Sequence, residues 1–193
     1  VSRLRAIRGE GKVLMLGIDE IERLKGLPLK LLAFENLLHS KPERQATTAL
    51  VQIAVRARNF TPAAEADYED VRGEVNEIIE RIAAKFPGAV YLVELPTISL
   101  AQRMQLWALA DVAVFTPLRE GYNTCPLEAV YACRDGAPGV VLLSEFSCCA
   151  RVLNGALRIN PWHTDEVTGA LNRACTMSTA ERLARRDRDL QFL

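Results

Sequence analysis

Six short apolar, β-rich runs alternate along this chain with segments whose apolar residues recur every three or four positions, and no other feature limits the available folds as tightly. The runs are Lys12 to Ile18 (KVLMLGI), Ala49 to Val55 (ALVQIAV), Val90 to Leu95, Val112 to Thr116, Val140 to Ser144 and Ala156 to Asn160. Most are nearly continuous in apolar residues, the pattern of strands buried on both faces of a parallel sheet. Strands separated in this way by helices imply an α/β fold, a doubly wound, six-stranded parallel sheet.

The intervening segments carry their own signals. Gly26-Leu27-Pro28 opens a helix with proline in its first turn. Leu27, Leu31, Phe34 and Leu38 mark the buried face of that helix, and Lys41-Pro42 ends it. Arg56 to Ala64 reads as a polar loop. Tyr68, Val71, Val75, Ile78, Ile82 and Phe86 then define the longest helix, with Glu and Arg on a solvated opposite face and Pro87-Gly88 as its stop. Ser99 and Gln102 form a capping box for a helix running to about Ala110. A loop, Pro117 to Asn123, precedes a helix from about Thr124 to Cys133, and a short helical stretch runs to Leu153. Thr164 is expected to cap a helix whose Val167, Leu171 and Ala174 face inward, with Asp165 and Glu166 suiting its dipole. Trp162, just before it, is read as a packing residue. A charged helix, Thr179 to Asp189, closes the chain. No repeat or low-complexity linker divides the 193 residues, so 1–193 reads as one domain.

Composition removes several function classes. Lys plus Arg number 24 and Asp plus Glu 24, so the net charge is zero and a nucleic-acid binder is disfavoured. The arginines of the last helix are interleaved with Glu181, Asp187 and Asp189, which makes a solvated face or a domain contact of it. The apolar runs are too short to cross a bilayer, and no signal segment opens the chain. Five cysteines (Cys125, Cys133, Cys148, Cys149, Cys175) without a C-x-x-C pair exclude a disulfide scaffold and a zinc ribbon. They read as small buried thiols in a reducing cytoplasm. His39 and His163 are too few and too far apart for a metal site. Because the sequence begins with Val, it is expected to be a piece of something longer.

In such sheets ligands sit outside the carboxyl ends of the strands, near the point where strand order reverses. Three loops fall there: Asp19 to Leu27, Pro117 to Thr124 and Glu145 to Ala150. The first lacks G-x-G-x-x-G and Walker A spacing, which disfavours a nicotinamide or flavin dinucleotide. It does place Lys25 beside a helix N-terminus, a reasonable diphosphate site, although the dipeptide alone reads more readily as a solvent-exposed lysine. In the second loop Glu120 and Glu128 have seven residues between them, one acid before the helix and one in its second turn. Carboxylates so placed accept hydrogen bonds from sugar and ribose hydroxyls, and Gly121 allows close backbone approach; a turn acid and a helix-surface acid are the plain alternative.

Glu120 and Glu128 within EGYNTCPLEA resemble the donor-site motif of retaining glycosyltransferases of the two-domain GT-B architecture. Four stretches are similar to the C-terminal half of trehalose-6-phosphate synthases: residues 17–38, 50–55, 116–128, and LLSEF followed by GALRINPW at 142–146 and 155–162. The resemblance implies a Rossmann-like, donor-binding domain that serves transfer of glucose from UDP-glucose to glucose 6-phosphate in trehalose biosynthesis. Transfer proceeds with retention, needs no metal and no further cofactor, and belongs to the cytoplasm. By the same resemblance Lys25 holds the donor diphosphate and is the catalytic cation. Gly121 and Asn123 contact the donor sugar and phosphate through backbone groups, flanked by Tyr122 and Thr124 where the family has Met and Leu. Glu128 takes the ribose hydroxyls and Glu120 the donor glucose hydroxyls. The implied partners are the nucleotide sugar and an acceptor-binding domain on the N-terminal side, against which residues 179–193 would pack, with an oligomer or larger complex left open.

One departure bears on activity. Glu20 stands where the family has an arginine that clamps the diphosphate with the lysine. An anion there removes attraction and adds repulsion. Arg23 is close in sequence but is expected to point elsewhere. Three readings follow: the donor half of an active synthase, a non-catalytic relative kept as a sensor or regulatory subunit (like the plant-type second class), and a different GT-B transferase sharing only the two glutamates. A donor half is not expected to be an enzyme by itself.

Overall fold

A computed structural model describes residues 1–56 and 61–193 of the chain. The six runs form six parallel strands: β1 Val13–Glu20, β2 Thr48–Val55, β3 Val90–Leu95, β4 Val112–Phe115, β5 Val140–Ser144 and β6 Leu157–Ile159. They lie side by side in the order β3-β2-β1-β4-β5-β6, the doubly wound order with one reversal between β1 and β4.

Side-chain alternation along each strand sorts the core into two layers. Met15, Leu50, Val112, Val114, Val140 and Leu142 face α2 (Leu27–Ser40), α4 (Pro62–Lys85) and α7 (Thr164–Thr176). Leu14, Leu16, Ile18, Ala113, Phe115, Val141 and Leu143 face α1 (Ser2–Gly9), α5 (Leu100–Trp107) and α6 (Cys125–Ala132). The short α3 (Pro42–Gln45) leads into β2. The predicted inward residues of α2, α4 and α7 are buried as their spacing requires, except Phe86, which lies just past α4 and is only partly buried.

Several boundaries differ, each for a local reason. β1 runs two residues past Ile18 because Asp19 is matched by buried partners described below. α5 keeps its capping box but ends at Trp107, where the bonds Leu109 N–H to Leu106 O and Ala110 N–H to Trp107 O tighten the last turn. α7 is capped by the His163 backbone, so Thr164 is its first residue rather than its cap. Trp162 is exposed instead of packed: its N–H donates to Asn160 Oδ1, and the turn directs the ring outward. Of the predicted loop from Arg56 to Ala64, residues 57–60 lie outside the described residues and Pro62 already begins α4. The sequence reading had no counterpart for α1.

The C-terminal helix, α8 (Thr179–Leu190), packs against α6 and β5. Arg182 donates to the carbonyls of Ala174, Met177 and Asp111, Arg185 donates to Gly155 O, and buried Asp189 accepts from Gly155 N–H. Among the described residues, no helix is long and apolar enough to cross a membrane.

Candidate functional site

The strand order reverses between β1 and β4, so the loops leaving these strands diverge and open a crevice at the carboxyl edge. After β1, Ile21 turns inward and its N–H bonds Val55 O; a single 3₁₀ turn, Arg23–Lys25, then delivers the chain to Gly26. Gly26 has φ +67°, and a Cβ there would stand 2.1 Å from the Thr116 carbonyl. Only glycine fits this approach of the β1 loop to the end of β4. The two loops are further joined by Leu118 N–H to Leu24 O at 2.7 Å and Thr116 Oγ1 to Gly26 O at 3.3 Å.

This join sets Lys25 against the β4 loop. Its Nζ lies 2.7 Å from Glu120 Oε1, an ion pair spanning the reversal point. Asn123 Nδ2 donates to the same oxygen at 2.9 Å, and Ser147 Oγ, from the loop after β5, to Oε2 at 3.4 Å. Asn123 also accepts from Cys125 N–H through Oδ1, so the first amide of α6 is already engaged. Glu128, one turn into α6, is held bidentate by Arg103 of α5 at 2.8 Å for each bond, and Thr124 Oγ1 donates to it.

Beneath the crevice lies a second ammonium–carboxylate pair. Lys30 of α2 and Gln52 of β2 both donate to Asp19 Oδ2, and Lys30 also donates to Gln52 Oε1. Gly17 makes room for it: a Cβ there would stand 2.4 Å from Gln52 Oε1 and 2.6 Å from Lys30 Nζ. All three side chains are buried, and their hydrogen bonds offset the cost of removing the charges from water.

The crevice is a cleft of about 270 Å³ whose polar lining includes Asp19, Glu20, Lys25, Arg56, Arg103 and Asn123. Of the sequence-assigned residues, Lys25, Tyr122 and Asn123 line it directly. Glu120 and Glu128 stand behind, turned into ion pairs with lining cations. Thr124 supports Glu128, and a Cβ on Gly121 would meet no protein atom within 4 Å. Arg23 points away, bonded to Asp67 and Glu74 of α4. Arg56 and Arg103 were not foreseen: they come from the loop after β2 and the helix after β3, two carboxyl-end segments the three-loop choice omitted.

Burial acts to lower the Lys25 pKa, but the Glu120 hydrogen bond and the charges of Glu120, Asp19 and Glu20 leave it above its ordinary value. Burial acts to raise the Glu128 carboxyl, yet the bonds from Arg103 and Thr124 and the Arg103 charge hold it below its ordinary value. Lys25 and Glu128 are therefore both charged at neutral pH. Cys125, on the cleft wall, is pushed up to about 12 by burial and then by the Glu128 charge, so its thiol is a packing group rather than a nucleophile. All five cysteines are free; Cys133 and Cys149 are buried as expected, Cys125 and Cys175 are half-buried, and Cys148 is exposed.

A doubly wound sheet with a lysine and two paired carboxylates at its reversal point defines a domain of the Rossmann-like class, in which ligands sit outside the carboxyl ends of the strands. A profile of glycosyltransferase family 20 matches residues 1–191, and the chain belongs to that family, the family of trehalose-6-phosphate synthases. It is 34% identical over 200 residues to a probable alpha,alpha-trehalose-phosphate synthase (UDP-forming) 7 of Arabidopsis thaliana, covering 96% of this chain and 23% of that protein. It is 36% identical over 177 residues to alpha,alpha-trehalose-phosphate synthase (UDP-forming) 1 of Aspergillus fumigatus, covering 90% and 33%. A crystal structure of an alpha,alpha-trehalose-phosphate synthase (UDP-forming) from Burkholderia xenovorans in complex with glucose-6-phosphate superposes with TM-score 0.91 at 30% identity, covering 98% of this chain and 42% of that one. The chain thus spans less than half the length of these relatives.

Proposed function

We propose that this chain forms the donor site of a retaining glucosyltransferase, in which UDP-glucose gives its glucose to glucose 6-phosphate. The observation that carries the reading is the Lys25–Glu120 pair across the reversal point, a cation and a hydroxyl acceptor presented to one cleft. The relatives' description as UDP-forming supports the identity of the donor. In this reading the diphosphate exchanges into the place of Glu120 on Lys25, whose ammonium then stabilises the charge that develops on the departing UDP. Glu120, released, accepts from donor glucose hydroxyls, and Glu128 turns an oxygen from Arg103 to the ribose. Tyr122, Asn123, Gly121 and Thr124 frame the sugar. No side chain is required as a covalent nucleophile: the acceptor attacks from the face the diphosphate leaves, held there by a second, N-terminal domain. No metal or other cofactor enters this scheme, and its setting is the cytoplasm.

Calorimetric titration with UDP and UDP-glucose tests the reading. Binding that weakens on Lys25→Ala and Glu128→Ala supports it; absence of binding at millimolar ligand removes it. A second reading, a non-catalytic subunit with a weakened donor site, is favoured by one feature, the Glu20 carboxylate on the cleft wall. Glucosyl transfer by the purified protein from UDP-glucose to glucose 6-phosphate separates the two.

A further inference from the structure

The charges lining the cleft can be accounted for pair by pair. Asp19 is matched by Lys30 beneath it, Lys25 by Glu120, Arg103 by Glu128, and Arg56 by Glu65 at 2.8 Å. Glu20 is left over. It ends β1 beside Val55 of β2 and lines the cleft, and its carboxylate has no hydrogen bond or ion pair among the described residues. The nearby cation that feels its charge, Lys25, is committed to Glu120. Among the described residues, the paired charges of the cleft thus leave one carboxylate over on its β1 wall, where an incoming diphosphate must displace Glu120 to reach Lys25.

We infer that Glu20 sets the charge preference of this cleft, opposing the diphosphate of a nucleotide ligand and leaving the neutral nucleoside and hexose parts to supply the affinity. The inference rests on the donor-site reading and deepens it, by naming the residue that decides which part of the donor is held. A carboxylate facing a diphosphate in a partly enclosed cleft repels it through a medium of lower dielectric than water. A neutral nucleoside feels no such term. The penalty scales with ligand charge and falls with ionic strength, which separates it from a change of shape.

The test compares wild type, Glu20→Gln and Glu20→Arg, each checked for folding by circular dichroism. UDP is titrated by calorimetry and uridine by NMR. Glu20→Gln is expected to bind UDP roughly tenfold tighter, and Glu20→Arg tighter still, with uridine unchanged. Added salt narrows the gap between wild type and Glu20→Gln for UDP. Equal or weaker UDP binding by folded Glu20→Gln, with wild type still binding UDP, overturns the inference and leaves the donor site standing. An equal gain for uridine overturns it too, since the effect is then steric. If none of the three folded proteins binds UDP, the donor-site reading fails and takes the inference with it.

Discussion

Two ammonium–carboxylate pairs, built on lysines at positions 25 and 30, do different work. Lys30–Asp19 is sealed under the sheet edge, with side chains 1% and 6% exposed, and Gln52 completes its hydrogen bonds. Lys25–Glu120 bridges two loops, with side chains 21% and 6% exposed, so the carboxylates of the two pairs are equally buried and the difference lies in the lysines, of which Lys25 opens to the cleft. Asp19 shows an edge to the cleft, but Lys30 cannot be reached without unfolding the sheet edge, whereas water and ligand both reach Lys25. A sealed pair is a fixture of the fold, because removing one partner strands the other in low dielectric. The Lys25 side of the second pair is exchangeable, because water or a ligand can reach the ammonium when Glu120 lets go. The cleft thus has a fixed floor and a movable wall.

The largest effect should come from breaking the floor. Lys30→Met keeps the volume and strands Asp19, at a cost of ~3–5 kcal/mol. For a chain of this size that lowers the melting temperature by roughly 10 °C. Adding Asp19→Asn should recover much of the loss, the sign of a coupled pair. A melting temperature near wild type for Lys30→Met would show that the floor is not held this way.

Gly26→Ala comes next. It imposes a left-handed backbone on alanine, at about 1–3 kcal/mol, and drives a methyl into the Thr116 carbonyl. Thermal unfolding should show the loss, and UDP affinity should fall with it, because the loops that form the Lys25–Glu120 pair are pushed apart. Loss of stability with affinity intact would separate the loop join from the site.

The wall behaves oppositely. Lys25→Ala should change stability by less than ~1 kcal/mol, since its pair is partly solvated. It should weaken UDP binding by roughly tenfold or more. If stability falls as far as for Lys30→Met while UDP affinity holds, the contrast between the pairs is lost.

These pairs also mark what the sequence could and could not convey. The six strands were legible because both faces of each are buried, which writes an almost uninterrupted apolar run. The loops that carry Lys25, Tyr122 and Asn123 were legible because they follow strands at the reversal point, while the choice of Tyr122 and Asn123 within them came from the family resemblance. Asp19 was not: a charged pair at a strand end reads as the start of a loop, and only the distant Lys30 and Gln52 let β1 continue through it. Arg103 was missed likewise, its partner Glu128 lying 25 residues away on another helix. α1 left too faint a trace, with Leu4 and Ile7 as its only buried anchors. Strand order is a property of long-range pairing that local pattern does not contain.

The smallest effect is a pH signature that compares the two open pairs at opposite ends of the scale. Glu128 is held below its ordinary 4.5. Its stabilisation is therefore complete above that value and is lost as pH falls through its lowered folded-state value. Lys25 is held above its ordinary 10.5. Its stabilisation is complete below 10.5 and is lost as pH rises through the raised value. Relative to wild type, Glu128→Gln should then be destabilised at neutral pH and converge with it under acid. Lys25→Met should be mildly destabilised at neutral pH and converge only in alkali. Melting temperatures of the three proteins from pH 3 to pH 11 read this out, on the order of a few degrees at most. A Glu128→Gln deficit that persists undiminished in acid would mean that shape and neutral hydrogen bonds, rather than the Arg103–Glu128 charge pair, fix α5 to α6 on that side of the cleft.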